Sequence, residues 1–416
     1  MSTLDLFAQD DPYRFTFAPD LWYNDVDGIR VGVRTLGEVE GTFKDGPHRL
    51  DAGIWIGTWL PELPVSYFLS FTEPIKAFSD YGNEGSIQLI SSIRTGYSQH
   101  RIQFNKRWQS GFYEYNYREL SVFFSKEKMF DSEYRPYKIL WQGEWKSLVG
   151  AEFKWSATPE IGQFFARASI NQDIDNQTEN FTVGTLELLQ KIELNDKFKL
   201  RLRIFGGLAS EKTAPEYLFL TSMSSPQDWL NKGVSRAKGT VPTPLLEAGS
   251  FQVGGGANLR GYLNRDINML NSVKNSDVRV LFPLYKSMLA FNTEIEFPNP
   301  INQAIKNVAI VGDLAELRTY LFADAGIGND FTVIQDPDQA AFPDILPPVV
   351  SDIPEGTLLL DAGIGFQLSV NIPDYLGKDR GFFIRYDVPF WLSDPSGSES
   401  NFAFRQLIGL GAIISF

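Results

Sequence analysis

Few side chains in this sequence are suited to covalent or metal chemistry. Cysteine is absent, which removes disulfides, thiolate metal sites, cysteine nucleophiles and iron–sulfur clusters together. The two histidines, His48 and His100, lie far apart, so a histidine-rich metal centre and a Ser–His–Asp arrangement both lack their parts, and Gly-x-Ser-x-Gly is missing too. Carboxylates are plentiful, as at Glu294 and Glu296, but nothing in the sequence builds a pocket that would fit them for acid–base work. Asp330, Asp336 and Asp338 lack the regular oxygen spacing of a calcium loop and read as a solvated acidic loop. Asp394 with Ser396, Ser398 and Ser400 reads the same way. Gly254-Gly255-Gly256 is followed by neither Gly-Lys-(Ser/Thr) nor a helix start, so it is not a phosphate loop. What remains is a glycine-rich stretch, Gly254 to Tyr262, in which a lone Arg-Gly-Tyr is ordinarily a turn. A guanidinium stays charged and offers five donors in a fixed fork, so it can tie several acceptors at once. No catalytic residue, metal site or cofactor is expected.

The elements that must position such a group are strands. The segment Lys197-Phe198-Lys199-Leu200-Arg201-Leu202-Arg203-Ile204 alternates without a fault, apolar side chains one way and four cations the other. Ile29, Val31 and Val33 oppose Arg30, Gly32 and Arg34; Leu358 to Leu368 and Phe382 to Phe390 repeat the pattern, and Ile408, Leu410, Ala412, Ile414 and Phe416 close the chain. A soluble sandwich also alternates. Here, however, the second row repeatedly carries full charges or glycine, which fits a closed sheet with lipid outside and a wet or loop-filled interior. The pattern predicts an all-β, sixteen-stranded antiparallel transmembrane β-barrel, with its first strand at 28–36, one at 136–145 and the last at 402–416. Short helical turns are expected only near Pro226–Asn231 and Pro300–Val311.

Length and composition agree. The 416 residues could form two or three soluble domains or one large barrel. With 38 basic against 51 acidic residues, net −13, the chain is a poor nucleic-acid binder. The longest stretch without a charged residue is twelve, for example Ala362 to Pro373, too short for a membrane-spanning helix of about 20 residues. A barrel strand needs only about 9 to 11, so hydropathy leaves a barrel open. The start Met-Ser-Thr-Leu-Asp-Leu-Phe lacks a signal-peptide pattern. Connections sort into long polar loops, such as 329–356 and 393–400, and the shorter turn 371–380 between them. The largest insertion, 210–286, is expected to have a task or to pack inside something. Trp22, Trp55, Trp59, Trp108, Trp141 and Trp145 suit interfacial girdles.

Several stretches carry a resemblance. Phe251-Gln252-Val253-Gly254-Gly255-Gly256-Ala257-Asn258-Leu259-Arg260-Gly261-Tyr262 resembles the Gly-Gly…(Val/Ile)-Arg-Gly-(Tyr/Phe) loop of the BamA-like superfamily, the bacterial surface antigen family of outer-membrane assembly and secretion barrels. Asn292-Thr293-Glu294-Ile295-Glu296-Phe297-Pro298 and Phe322-Ala323-Asp324-Ala325-Gly326 are similar to the two strands that follow that loop in the family. Asp361-Ala362-Gly363-Ile364-Gly365 and Arg385-Tyr386-Asp387-Val388-Pro389-Phe390 continue the likeness, which is clear from about 250 to 416. It implies that the loop folds into the lumen and that Arg260, with Gly261 and Tyr262, locks to Glu294, Asp324 and Gly326. Alternation is consistent, since it places Glu294 and Asp324 in the polar row. Leu410-Gly411-Ala412-Ile413-Ile414-Ser415-Phe416 resembles the terminal signal read by the barrel assembly machinery, with Gly411, Ile414 and Phe416 in agreement and Leu410 where a polar residue is usual.

The resemblance implies residence in the bacterial outer membrane and a role in protein insertion or translocation. Residues 1–27 are expected to be a lead-in or linker and 28–416 the barrel, with no room for a POTRA domain before residue 28. Asp20-Leu21-Trp22-Tyr23-Asn24-Asp25-Val26-Asp27-Gly28 resembles the entry to the first strand in relatives that follow a soluble domain, which suggests the carrier barrel of a fused passenger, in a trimmed chain or mature numbering. Any catalysis would then lie in that passenger. The expected partners are outer-membrane lipid, the assembly machinery through the last strand, and a fused or associated soluble passenger. The alternative is a non-translocating anchor or accessory subunit of an outer-membrane complex. A diffusion porin fits less well, because a pinned loop would plug it.

Overall fold

The computed structural model describes residues 13–24, 28–39, 48–59, 65–80, 82–94, 96–109, 115–130, 140–175, 180–229, 249–252, 254–274, 284–308, 314–332, 356–373 and 379–414. The chain divides into two compact units. One comprises Met1–Tyr134, Gly143–Thr158 and Phe165–Asn180, the other Arg135–Gln142, Pro159–Phe164 and Phe181–Phe416. The fold is all-β, and the pairings below are antiparallel apart from one two-residue strand. No described helix is long and apolar enough to cross a membrane, which says nothing about crossing by strands.

The first unit contains β1 (Arg14–Asn24), β2 (Gly28–Glu38), β3 (Arg49–Gly57), β4 (Val65–Pro74), β5 (Asn83–Arg94), β6 (Tyr97–Gln109), β7 (Tyr117–Met129), β8 (Lys146–Ala157) and most of β9 (Gln163–Asp173). From β1 to β8 each strand pairs antiparallel with the next. Its polarity is the reverse of a soluble sheet. On β2, Val31 is 56% exposed while Arg30 and Arg34 are each 2% exposed. On β7, Leu120, Val122 and Phe124 are exposed while Ser121, Ser125 and Glu127 are buried. The buried cations are housed among aromatic and acidic groups: the Arg30 guanidinium lies 4.8 Å from the centre of the Trp55 ring, whose Nε1–H donates to Asp20 Oδ2 at 2.7 Å.

The second unit contains β10 (Thr182–Glu193), β11 (Lys199–Ala209), β12 (Phe251–Gln252), β13 (Leu284–Phe297), β14 (Ala315–Thr332), β15 (Leu359–Pro373), β16 (Asp379–Leu392) and β17 (Leu407–Ile414). The antiparallel order is β10–β11–β13–β14–β15–β16–β17, and β12 runs parallel to β17 through Phe251 and Ile408. Leu289, Phe291, Leu321 and Ile384 are exposed, and Asn292, Arg318, Asp324, Asp361 and Asp387 are buried. Antiparallel order puts the connections 209–284, 332–359 and 392–407 at one end and 297–315 and 373–379 at the other. Part of the first connection, 213–224 and 249–267, is buried through Leu218, Leu220, Met223, Leu259, Tyr262 and Ile267.

Three expectations need correction. The sheet begins before residue 28, because β1 pairs with β2 over eleven positions from Arg14↔Glu38 to Asn24↔Gly28, so residues 14–24 are not a lead-in. The strand expected at 136–145 is not present over 140–145, and residues 131–139 lie outside the described residues. Leu140 and Trp141 are both buried, which a strand with one buried face does not allow for neighbours. The insertion also holds an unanticipated helix, α1 (Leu263–Lys274), beside the expected short helices at Pro226–Trp229 and Pro300–Lys306.

Candidate functional site

The site is built where a single helical turn, Arg260–Tyr262, meets the polar face of β13, β14, β15 and β16. The turn is aimed by the residues before it. Asn258 adopts a left-handed conformation with φ 57°, and the Leu259 amide donates to the Thr221 carbonyl at 3.1 Å. Further back, Arg203 on β11 donates from Nη2 to the Gly256 carbonyl at 2.7 Å, from Nη1 to Asn292 Oδ1 at 2.8 Å and from Nε to Glu187 Oε1 at 2.7 Å. Asn292 in turn donates to the carbonyls of Ala257 and Asn258, each at 3.2 Å. The loop is therefore tied to strands through its carbonyls before Arg260 is reached.

Arg260 is fully buried as a side chain and its donors are directed at strand carboxylates. Nε donates to Asp324 Oδ2 and Nη2 to Asp324 Oδ1, both at 2.8 Å, a bidentate fork. Nη1 donates to Glu294 Oε1 at 2.9 Å and lies 3.8 Å from Asp387 Oδ2. The guanidinium carbon sits 3.8 Å from the centre of the Phe322 ring, a cation–π contact. Burial opposes the charge on Arg260, but Asp324, through charge and hydrogen bonds, with Glu294 and Asp387, outweighs it and holds its pKa well above the ordinary arginine value. The cation is thus permanent.

The two residues after it complete the turn. The Gly261 amide donates to Asp361 Oδ2 at 3.1 Å. A side chain at Gly261 would meet Leu392 Cδ2 and come within 2.9 Å of Asp361 Cβ, so only glycine fits. The Tyr262 hydroxyl donates to the Leu360 carbonyl at 3.1 Å and lies 3.2 Å from Ser393 Oγ; burial pushes its pKa up. Gly326 leaves room for Leu259, whose Cδ1 would stand 2.7 Å from a Cβ there.

Of the residues singled out from sequence, Arg260, Gly261, Tyr262, Glu294, Asp324 and Gly326 are brought together. Gly411 and Ile414 lie in β17, opposite Phe383 and Arg380, and Phe416 lies outside the described residues. Sequence reasoning did not assign a role to Asn292, Arg318, Asp361 and Asp387. Arg318 donates to Glu294 Oε2 at 3.1 Å and Glu296 Oε2 at 2.9 Å, while Tyr320 donates to Asp387 Oδ1 at 2.7 Å. A usable signal was present: each is in the polar row of a strand, and Asp361 is followed by Gly363 and Gly365, whose missing side chains leave space for Phe322 and Tyr320. Asp330 lies at the end of β14; Asp336 and Asp338 lie outside the described residues. The guanidinium and carboxylates are turned toward one another, which ties the turn to the strands.

No protein-family model and no curated protein matches the chain. Among solved structures, BamA from Haemophilus ducreyi lacking POTRA domains 1-3 is 13% identical with a TM-score of 0.43, over 97% of this chain and 71% of that one. A bacterial polysaccharide outer membrane secretin is 8% identical with a TM-score of 0.37, over 96% and 95%. CdiB from Acinetobacter baumannii is 11% identical with a TM-score of 0.36, over 96% of this chain and 60% of that one.

Proposed function

We propose that the chain is an outer-membrane β-barrel of the BamA-like superfamily, acting in protein insertion or translocation. The observation that carries the membrane part is the inverted polarity of the strands, with Val31, Val122 and Leu289 exposed and Arg30, Arg34 and Asp324 buried. Water does not stabilise a sheet with its apolar row outward, whereas hydrocarbon does. In this reading the sheet closes, and the Arg260 turn fixes the segment from Gly254 to α1 inside it. The support for the superfamily is the bonding of Arg260 to Asp324 and Glu294 together with the sequence resemblance around it. The chain would be the carrier barrel of a fused or associated soluble domain, and any catalysis would belong to that domain. The assembly machinery would recognise the last strand through Gly411, Ile414 and Phe416.

A second reading, an anchor or accessory subunit that translocates nothing, is favoured by the number of ties holding the turn, since a lumen so filled conducts nothing without releasing them. One experiment separates the possibilities. The full chain is depleted from cells, and outer-membrane barrel levels, exported proteins and co-purifying partners are quantified. Loss of an inserted or exported client supports the first reading. Normal export with loss of a partner complex supports the second. A chain that is monodisperse in buffer without detergent overturns both.

A further inference from the structure

The outward row of the first unit is not apolar throughout. On β7 it reads Arg118, Leu120, Val122, Phe124, Lys126 and Lys128, three apolar residues between cations. Arg118 lies 5.3 Å from the Trp155 ring at one limit, and Lys126 Nζ lies 5.5 Å from the Trp145 ring at the other. The eight steps between Arg118 and Lys126 span roughly 26 Å of strand at about 3.3 Å each, or roughly 20 Å along the membrane normal at a strand tilt of about 40°, so both cations fall near the limits of an apolar band about 25 Å tall.

The Lys126 limit is the more elaborate of the two. Lys126 is opposite His100 and Lys128 opposite Ser98 in the β6–β7 register, and His100 is opposite Ser91 on β5. His100 Nδ1 is 2.9 Å from Ser91 Oγ, and its Nε2 is 3.0 Å from Ser98 Oγ. The chain of hydroxyls runs on to Tyr67, whose OH is 2.9 Å from Ser91 Oγ. The His100 ring lies 6.4 Å from that of Trp145, on the same patch as the lysine. Lys126 is exposed, and neither lysine has a carboxylate within ion-pair distance among the described residues. The adjoining carboxylate, Asp175, accepts the Ser147 hydroxyl at 3.0 Å. Two cations, hydroxyls ordered by a histidine and an indole thus stand together at the edge of a lipid-facing band.

Resting on the membrane reading above, we propose that Lys126, Lys128, His100, Ser91 and Trp145 form a site for the phosphate of an anionic lipid headgroup, with the buried Ser98 holding the His100 ring from behind. The lysines supply charge and donors to the phosphate oxygens, and the partly exposed Ser91 hydroxyl bonds the glycerol or sugar beside it. The indole holds the headgroup at interfacial depth. Cations scattered at the edge for solvation alone would attract anionic lipid in proportion to their number, so removing Lys197 would then cost as much as removing either lysine here.

The test uses the full chain in phosphatidylcholine nanodiscs doped with phosphatidylglycerol, released into zwitterionic detergent, with retained lipid counted by native mass spectrometry. Wild type is expected to retain phosphatidylglycerol over phosphatidylcholine. The Lys126→Gln, Lys128→Gln variant should lose about thirty-fold in retention, from about 1 kcal/mol for each surface cation, while Lys197→Gln should retain it as wild type does. Equal retention of both lipids by wild type, or undiminished retention by the double variant, overturns the site. So does displacement by inorganic phosphate at the lipid's own concentration, which would mark a soluble-anion site. A chain that embeds in nanodiscs without selectivity sinks only this inference; a chain that does not embed sinks the membrane reading as well.

Discussion

Asp324 and Asp361 face each other across the β14–β15 pair, both buried, and one turn of the inserted loop answers both. The Arg260 guanidinium takes Asp324, and the next amide, that of Gly261, takes Asp361. Two carboxyl groups buried opposite each other set acceptor against acceptor, and the strands alone leave them short of donors, which the loop supplies. Removing one partner of a buried pair costs about 3 to 5 kcal/mol. Arg260→Ala is expected to lower unfolding stability in detergent by that amount and to expose 249–274 to protease. Adding Asp361→Asn to Arg260→Ala should recover part of the loss, because the new amide can donate to the facing Asp324 where the arginine no longer does. Unfolding midpoints in urea check both; an unchanged midpoint for Arg260→Ala would mean the network does not hold the loop.

Gly261 tests space rather than charge. A methyl group there meets Leu392, which must rotate away, and the Asp361 side chain, which cannot withdraw without breaking the amide–carboxylate bond. Gly261→Ala is expected to cost about 1 to 3 kcal/mol as an overpacked site. Gly143→Ala, where nothing lies within 4 Å, should be neutral. Equal midpoints for the two variants would contradict the tight approach.

Much of this architecture was legible from alternation, because an outward apolar row and an inward polar row impose a period of two on each strand. β1 escaped because Pro19 interrupts its run, and proline argues against a strand unless its missing N–H is harmless; here it pairs opposite Val33 all the same. The segment 140–145 misled through its aromatic content, since Trp141 and Trp145 look like girdle residues wherever they fall. In the site, Arg260, Glu294 and Asp324 were readable because short motifs carry them. Asp361 and Asp387 were not, because their contacts to the turn join residues 100 and 127 positions apart, Gly261 to Asp361 and Arg260 to Asp387, and no spacing rule reaches that far. α1 hid behind the motif itself: glycines at 254–256 and 261 read as loop up to the residue where the helix starts.

A pH dependence should reside in the inserted helix. Asp266 is buried, and its Oδ2 accepts the Ser222 amide and hydroxyl, each at 2.7 Å. Burial pushes its pKa up, and the nearby Arg265 and the Ser222 bonds only partly offset this. With the folded value above the unfolded one, its contribution to stability is complete below the unfolded aspartate pKa of about 3.9. It is lost as pH rises through the folded value, because the folded state must then hold a buried charge. Asp266→Asn cannot ionise. Protection of 263–274 in hydrogen exchange should therefore fall from pH 4 upward in wild type and not in the variant. Parallel profiles for the two proteins would remove Asp266 as the cause.

The orientation of the strands makes the last prediction. Val122 is at the centre of the outward row on β7, between Leu120 and Phe124, with cations at either limit. If that row meets hydrocarbon, Val122→Lys places an ammonium near the bilayer midplane, at a cost of about 2 to 4 kcal/mol. Tyr115, exposed and beyond the Arg118 limit, should accept lysine at a cost of no more than about 0.5 kcal/mol, as surface substitutions do. Folding equilibria into lipid vesicles distinguish the two sites. A water-facing sheet would tolerate lysine at both, since replacing an exposed valine in water removes an apolar group from solvent and strands no charge. Equal folding of Val122→Lys and Tyr115→Lys would thus turn the outward face of β7 back to water.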